Sequence, residues 1–131
     1  MPAKIKKIGY CAVTADILHY GHLVFLCQCR LKCDYLIVGI MTDNCVKKYK
    51  QKYPLFSQAY RYIMVNNLKQ VNKTIYQNDF EFDLDMLRKR YKVDIIFDSE
   101  EHKEARKGAD CYIPYTEGIS SSYIKCKIMQ E

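Results

Sequence analysis

Asp16-Ile17-Leu18-His19-Tyr20-Gly21-His22 sets two imidazoles three residues apart around a glycine, directly behind an apolar run. A strand entering a glycine-containing turn and then a helix offers backbone N–H groups and a positive helix end to a phosphate. Two histidines at that mouth add donors able to follow charge developing on a phosphorus centre. The plain structural reading, in which one histidine caps the helix and the other is half-buried, concerns the same positions. Spacing, the preceding Asp16 and the strand–turn–helix context favour chemistry.

The elements that must position these residues alternate in type. Residues 4–13 predict a first strand, about 21–32 a helix, and Tyr35 to Met41 an apolar β-branched strand of the buried parallel kind. Thr42-Asp43 reads as a turn leading into the lysine-rich stretch Lys47-Lys48-Tyr49-Lys50-Gln51-Lys52, with Pro54 barring a helix there. Ser57 is an N-cap for a helix to about Gln70, and Thr74–Ile75 a short strand. Asp83 to Tyr91 reads as an amphipathic helix, Asp94 to Phe97 and Cys111 to Ile113 as strands, and Ser120 as the cap of a terminal helix to about Met129. This alternation predicts an α/β, Rossmann-like single domain over residues 1–131, its mostly parallel sheet flanked by helices. Ligands of such sheets lie beyond the carboxyl ends of the strands, at the topological switch.

Composition narrows the function classes. The 131 residues are 49% hydrophobic and 27% charged, ordinary for a soluble domain with a real core. No apolar run approaches the ~20 residues of a membrane span, and the N-terminal stretch lacks the apolar segment of a signal peptide. A cytoplasmic protein is expected. The seven cysteines form no C-x-x-C pair, so small thiols in a reducing compartment are expected and no metal site. The net charge of +6 suits a phosphorylated small molecule; the lysines of 47–52 are too local for a nucleic-acid stripe.

A second motif lies near the C-terminus, Tyr115-Thr116-Glu117-Gly118-Ile119-Ser120-Ser121-Ser122. With the histidine motif it resembles the cytidylyltransferase-like nucleotidyltransferases, whose hallmarks are H-x-G-H after the first strand and R-T-E-G-I-S-T-T before the last helix. The resemblance covers essentially the whole chain. It implies transfer of a nucleotidyl group from CTP to a small phosphate- or phosphonate-bearing acceptor, with release of pyrophosphate. By the same resemblance His19, His22 and Lys50 act at the reacting phosphates. Thr14, Ala15, Asp16, Gly21, Thr116, Gly118, Ile119, Ser120 and Ser121 would bind nucleotide, and Lys52 and Arg61 the acceptor or phosphates. Mg²⁺ would accompany the triphosphate, no protein-built metal site being needed, and the small family members imply a homodimer. Nucleic acid and membrane are not expected partners.

Three departures from the family pattern stand out. Tyr115 replaces the arginine of R-T-E-G-I-S, Ser99-Glu100-Glu101-His102 replaces G-D-D-W, and Asn66 and Asn72 stand where relatives carry acids. Tyr115, Ala15-Asp16 and the Thr42-Asp43 to Pro54 stretch resemble the phosphonate-associated cytidylyltransferase domains, which favours a phosphonate acceptor. An adenylyltransferase of the same fold using ATP, and a nucleotide-binding protein with a drifted pocket, remain the alternatives.

Overall fold

The computed structural model describes residues 6–114 and 121–130, with the side chains of residues 121–123 left aside. Its centre is a five-stranded parallel sheet of order β3-β2-β1-β4-β5. The strands are β1 (Ile8–Val13), β2 (Tyr35–Met41), β3 (Lys73–Gln77), β4 (Ile95–Ser99) and β5 (Cys111–Ile113). Helices are α1 (Tyr20–Leu31), α2 (Asp43–Lys50), α3 (Gln58–Asn66) and α4 (Ser121–Gln130). This is the α/β, Rossmann-like architecture the alternation predicts.

Residue parity along β1 assigns the two faces, because successive side chains of a strand point to opposite sides. Cys11 and Val13 join Leu26, Cys29, Leu36, Val38, Val65 and Phe97 in one core cluster. Tyr10 and Ala12 join Ile37, Phe82, Leu87 and Ile96 in another. Gly39 of β2 is required by the second face: a Cβ there would stand 1.9 Å from the Tyr10 hydroxyl oxygen. That hydroxyl donates to Gln77 Oε1.

The sequence reading misplaces several boundaries. Residues 43–50 form a helix, not a turn and loop; Thr42 caps it, its Oγ1 accepting from Cys45 N at 3.3 Å. Cys45 and Val46 bury its inner side, too short an apolar signal to stand out among lysines. Helix α3 starts at its expected cap but stops at Asn66, not near Gln70. The chain turns at once through a Val71 N to Leu68 O bond. Asn66 Oδ1 accepts from the Thr74 hydroxyl and Asn72 Oδ1 from Leu36 N. Both asparagines therefore accept hydrogen bonds from residues of the sheet. The helix expected over Asp83–Tyr91 shrinks to a π turn at Met86–Arg90, closed by Lys92 at φ 58°.

Between β1 and β4 the strand order reverses. Above the carboxyl ends of these strands lies a cavity of about 480 Å³.

Candidate active site

The H-x-G-H spacing is first of all a helix start. His19 is the N-cap of α1, and its Nδ1 accepts from Gly21 N at 3.0 Å. His22, one turn on, returns the bond: its Nδ1 accepts from His19 N at 3.2 Å. The pair thus makes a capping box in imidazole, where Ser and Glu are usual, and three residues is the separation such a box needs. The rings lie 4.0 Å apart, centroid to centroid. The consequence is chemical. A nitrogen that accepts from the backbone cannot carry a proton, so in both rings the proton sits on Nε2.

Both rings line the cavity. They present Nε2–H donors without a positive charge, since burial lowers the pKa of both. His22 is pushed down to about 4 by burial first, then by His19 and Lys50. The capping arrangement is therefore compatible with donation from both rings to an anion in the cavity.

Lys50 and Lys52 also border the cavity, and Lys50 stands on the last turn of α2, not in a loop. Gln51, at φ 66°, ends the helix between them. Partial desolvation, then the like charges of Lys125 and Lys52, lower the pKa of Lys50. An anion entering the cavity would relieve that repulsion. Lys125 of α4 is a site residue the sequence reading did not single out. Only its place in the fold, opposite the loop after β1, reveals it.

Thr14, Ala15, Asp16 and Gly21 line the cavity too. Thr14 Oγ1 shares a 2.9 Å hydrogen bond with the Tyr49 hydroxyl. Ala15 turns the chain at φ 53°, in the left-handed region. That turn aims the Asp16 carboxylate at Leu55 N and Phe56 N, both 2.9 Å away, and at the Lys125 ammonium. Burial alone would raise the Asp16 pKa; the Lys125 and backbone hydrogen bonds outweigh it and leave it lowered. Asp16 is thus an anchor that ties three segments to the cavity wall.

Arg61 is placed differently from the expectation. It is fully buried and absent from the cavity lining among the described residues. Its guanidinium donates to Phe56 O, Thr14 O, Met41 O and Asp43 Oδ1 at 2.7–3.0 Å. With four of its five N–H donors taken by protein oxygens, the side chain holds the loops after β1 and β2 from behind the cavity wall. Thr116, Gly118, Ile119 and Ser120 lie outside the described residues. Ser121 opens α4.

Beyond β4 the cavity is walled by Asp98, Ser99, Glu101, His102 and Pro114. This is the segment that departs from G-D-D-W. Asp98 is buried and takes Arg106 Nε at 2.9 Å and Nη2 at 2.8 Å, and Arg106 is buried behind it. Burial would raise the Asp98 pKa; hydrogen bonds from Arg106 and then His102 turn the shift downward. No helix among the described residues is long and apolar enough to cross a membrane.

Comparison with known proteins places the chain in a family. The chain is 32% identical over 119 residues to the glycerol-3-phosphate cytidylyltransferase of Bacillus subtilis (strain 168), covering 88% of this chain and 92% of that protein. Against the enzyme of that name from Staphylococcus aureus the identity is 31% over 117 residues, 86% of this chain and 87% of that one. A 66-residue stretch, half of this chain, is 42% identical to the ethanolamine-phosphate cytidylyltransferase of Mus musculus, of whose length it spans 16%. A solved structure titled as the lipopolysaccharide core biosynthesis protein from Thermoplasma volcanium GSS1 shares the fold at TM-score 0.64 and 22% identity, over 95% of this chain and 88% of that one. Residues 10–127 match the family model described as cytidylyltransferase-like, and the chain belongs to that family.

Proposed function

We propose that this protein transfers CMP from CTP to a small acceptor bearing a phosphate or phosphonate group, releasing pyrophosphate. The observation that carries the reading is the pair of backbone-bonded histidines, His19 and His22, each with its Nε2–H left to donate, lining a cavity bordered by Lys50, Lys52 and Lys125. An acceptor oxygen attacks the α-phosphorus, the bond from that phosphorus to the bridging oxygen breaks, and the electron pair leaves with pyrophosphate. Such a reaction needs positioning and charge stabilisation more than a protein nucleophile. Neutral imidazole donors hold the non-bridging oxygens, and the lysines balance the leaving group. Glycerol 3-phosphate and phosphoethanolamine are acceptors in the names of relatives. The Tyr115 and Ala15-Asp16 resemblance extends the proposal to a phosphonate.

Mg²⁺ enters as the counter-ion of the triphosphate. Among the described residues no three His, Cys, Asp or Glu side chains converge as a ligand set, and Asp16 is already spent on Leu55, Phe56 and Lys125. Bound there, the ion would supply charge neutralisation at the phosphates. A homodimer is part of the proposal. Leu55, Tyr60, Ile63 and Met64, on α3 and the turn before it, are exposed and apolar, a face a second copy would cover. A reducing cytoplasm suits its seven free thiols.

The test is pyrophosphate release with CTP or ATP, Mg²⁺, and glycerol 3-phosphate, phosphoethanolamine or 2-aminoethylphosphonate in turn. Release with CTP and one acceptor, abolished in His19→Ala, supports the reading. Release with ATP alone, or CTP binding without release under any acceptor, overturns it. Light scattering on the same preparation gives the oligomeric state.

A further inference from the structure

The two ends of the cavity differ in charge. Histidines and lysines gather around β1 and toward β2, with Lys125 of α4 beside them at Asp16, whereas the wall of Asp98, Ser99, Glu101, His102 and Pro114 carries no Lys or Arg. If the triphosphate takes the cationic end, the nucleoside extends across the reversal of strand order toward His102.

His102 is held as a reader of hydrogen bonds. Its Nδ1 lies 3.0 Å from Asp98 Oδ1 and 3.4 Å from Arg106 Nη2; the shorter contact, where two lone pairs would repel, favours the tautomer in which Nδ1 donates to the carboxylate. Arg106 already balances the Asp98 charge, and its guanidinium is stacked over the Phe80 and Phe82 rings at 4.6 and 4.7 Å. Phe80 in turn packs edge-on against the His102 ring. With Nδ1 turned to a buried carboxylate, Nε2 of the neutral ring keeps a lone pair, and the partly exposed side chain lines the cavity. Glu101 Oε1 stands 3.9 Å from Nε2, beyond hydrogen-bond reach.

We propose that His102 selects the nucleobase: its Nε2 lone pair accepts a hydrogen bond from the exocyclic amino group of a cytosine ring. Uracil would set a carbonyl oxygen against that lone pair and lose affinity. Asp98 and Arg106 are positioning residues, fixing the tautomer and the ring. The inference rests on the CTP reading above and adds the residue that tells CTP from UTP. A site built to accept from an amino group rejects the keto analogue strongly, because its own acceptor is then left unpaired.

Calorimetric titration of CTP, UTP and ATP into the wild type, His102→Leu and His102→Gln tests it. The wild type should bind CTP at least tenfold more tightly than UTP. In His102→Leu that ratio should fall toward one, chiefly through weaker CTP binding. His102→Gln, whose amide oxygen can accept, should keep part of the preference and shows that the position tolerates substitution. A wild-type CTP/UTP ratio retained in His102→Leu overturns the role of His102 and leaves the cytidylyltransferase reading standing. A wild type that prefers ATP to CTP overturns both.

Discussion

The cavity is bordered by two imidazole environments built on opposite rules. At the start of α1, the Nδ1 atoms of His19 and His22 accept from backbone N–H groups, which leaves each Nε2 a donor. After β4, Nδ1 of His102 faces the buried Asp98 carboxylate, an arrangement that in the neutral ring makes Nε2 an acceptor. Donors suit phosphate oxygens and an acceptor suits an amino group. The same side chain is given two chemistries by what stands behind it, and each half has its own fully buried arginine as scaffold, Arg61 in one and Arg106 in the other.

The largest effect is expected from the scaffold. Arg61→Met removes donors from three carbonyl groups and leaves Asp43 unpaired. The loss should be about 3–5 kcal/mol of stability, read from denaturant midpoints. A variant that folds at wild-type stability yet loses acceptor binding would return Arg61 to the phosphate role suggested by sequence. Next comes His19→Ala, expected to lower kcat by about a hundredfold or more through loss of one transition-state donor. At saturating CTP, His102→Leu should leave kcat within about tenfold of wild type. Equal losses in kcat would break the division between the two halves.

The histidine half also predicts a pH dependence. His22 has an ordinary pKa near 6.5 when unfolded and one of about 4 when folded. Between these values the unfolded chain binds more protons, so stability must fall as pH drops through that window. The expected loss is about 2–3 kcal/mol by pH 4, from a shift of roughly two and a half units. His22→Asn, which keeps an acceptor for His19 N, should flatten the curve. NMR titration of the His22 ring should show no protonation until well below pH 6. Saturating pyrophosphate should move that midpoint upward.

Lys125 joins the His19–His22 half of the cavity through Asp16. Lys125→Met should raise KM for CTP about tenfold, on the order of 1 kcal/mol for a partly exposed charge, with kcat nearly kept. A fall in melting temperature with KM unchanged would make Lys125 only a clasp for α4.

How much of this is legible in sequence follows from how local each signal is. The H-x-G-H motif, its strand and its helix are read directly, because cap, spacing and apolar run lie within a few residues. Strand β2 is equally plain from its uninterrupted apolar run. Helix α2 is hidden because its stability comes from Thr42 and two buried residues against a sheet, not from periodicity. Arg61 misleads for the opposite reason. An arginine at the start of a helix reads the same whether its guanidinium meets a phosphate or four protein oxygens, three of them 18 or more residues away in sequence. Lys125 and His102 acquire meaning only from the partners that folding brings, Asp16 and Asp98, and no window of sequence contains the first pair.

The smallest effect probes the turn between the strand and the histidines. Ala15 holds φ 53° with its side chain buried, a conformation that costs an L-residue roughly 1–2 kcal/mol. Glycine would remove that strain but free the unfolded chain, at a cost of about 0.4–1 kcal/mol. Ala15→Gly should therefore shift stability by less than about 1 kcal/mol, toward stabilisation. Its effect on catalysis is the sharper reading. The alanine turn sets Asp16, and Asp16 sets both the 55–56 backbone and Lys125. If this strain is what pre-orders the phosphate half, Ala15→Gly will lower kcat/KM for CTP severalfold while the CTP/UTP preference at His102 stays fixed. A glycine variant that loses both together would show that the two halves of the cavity share one support, and the contrast between them would be a matter of chemistry alone.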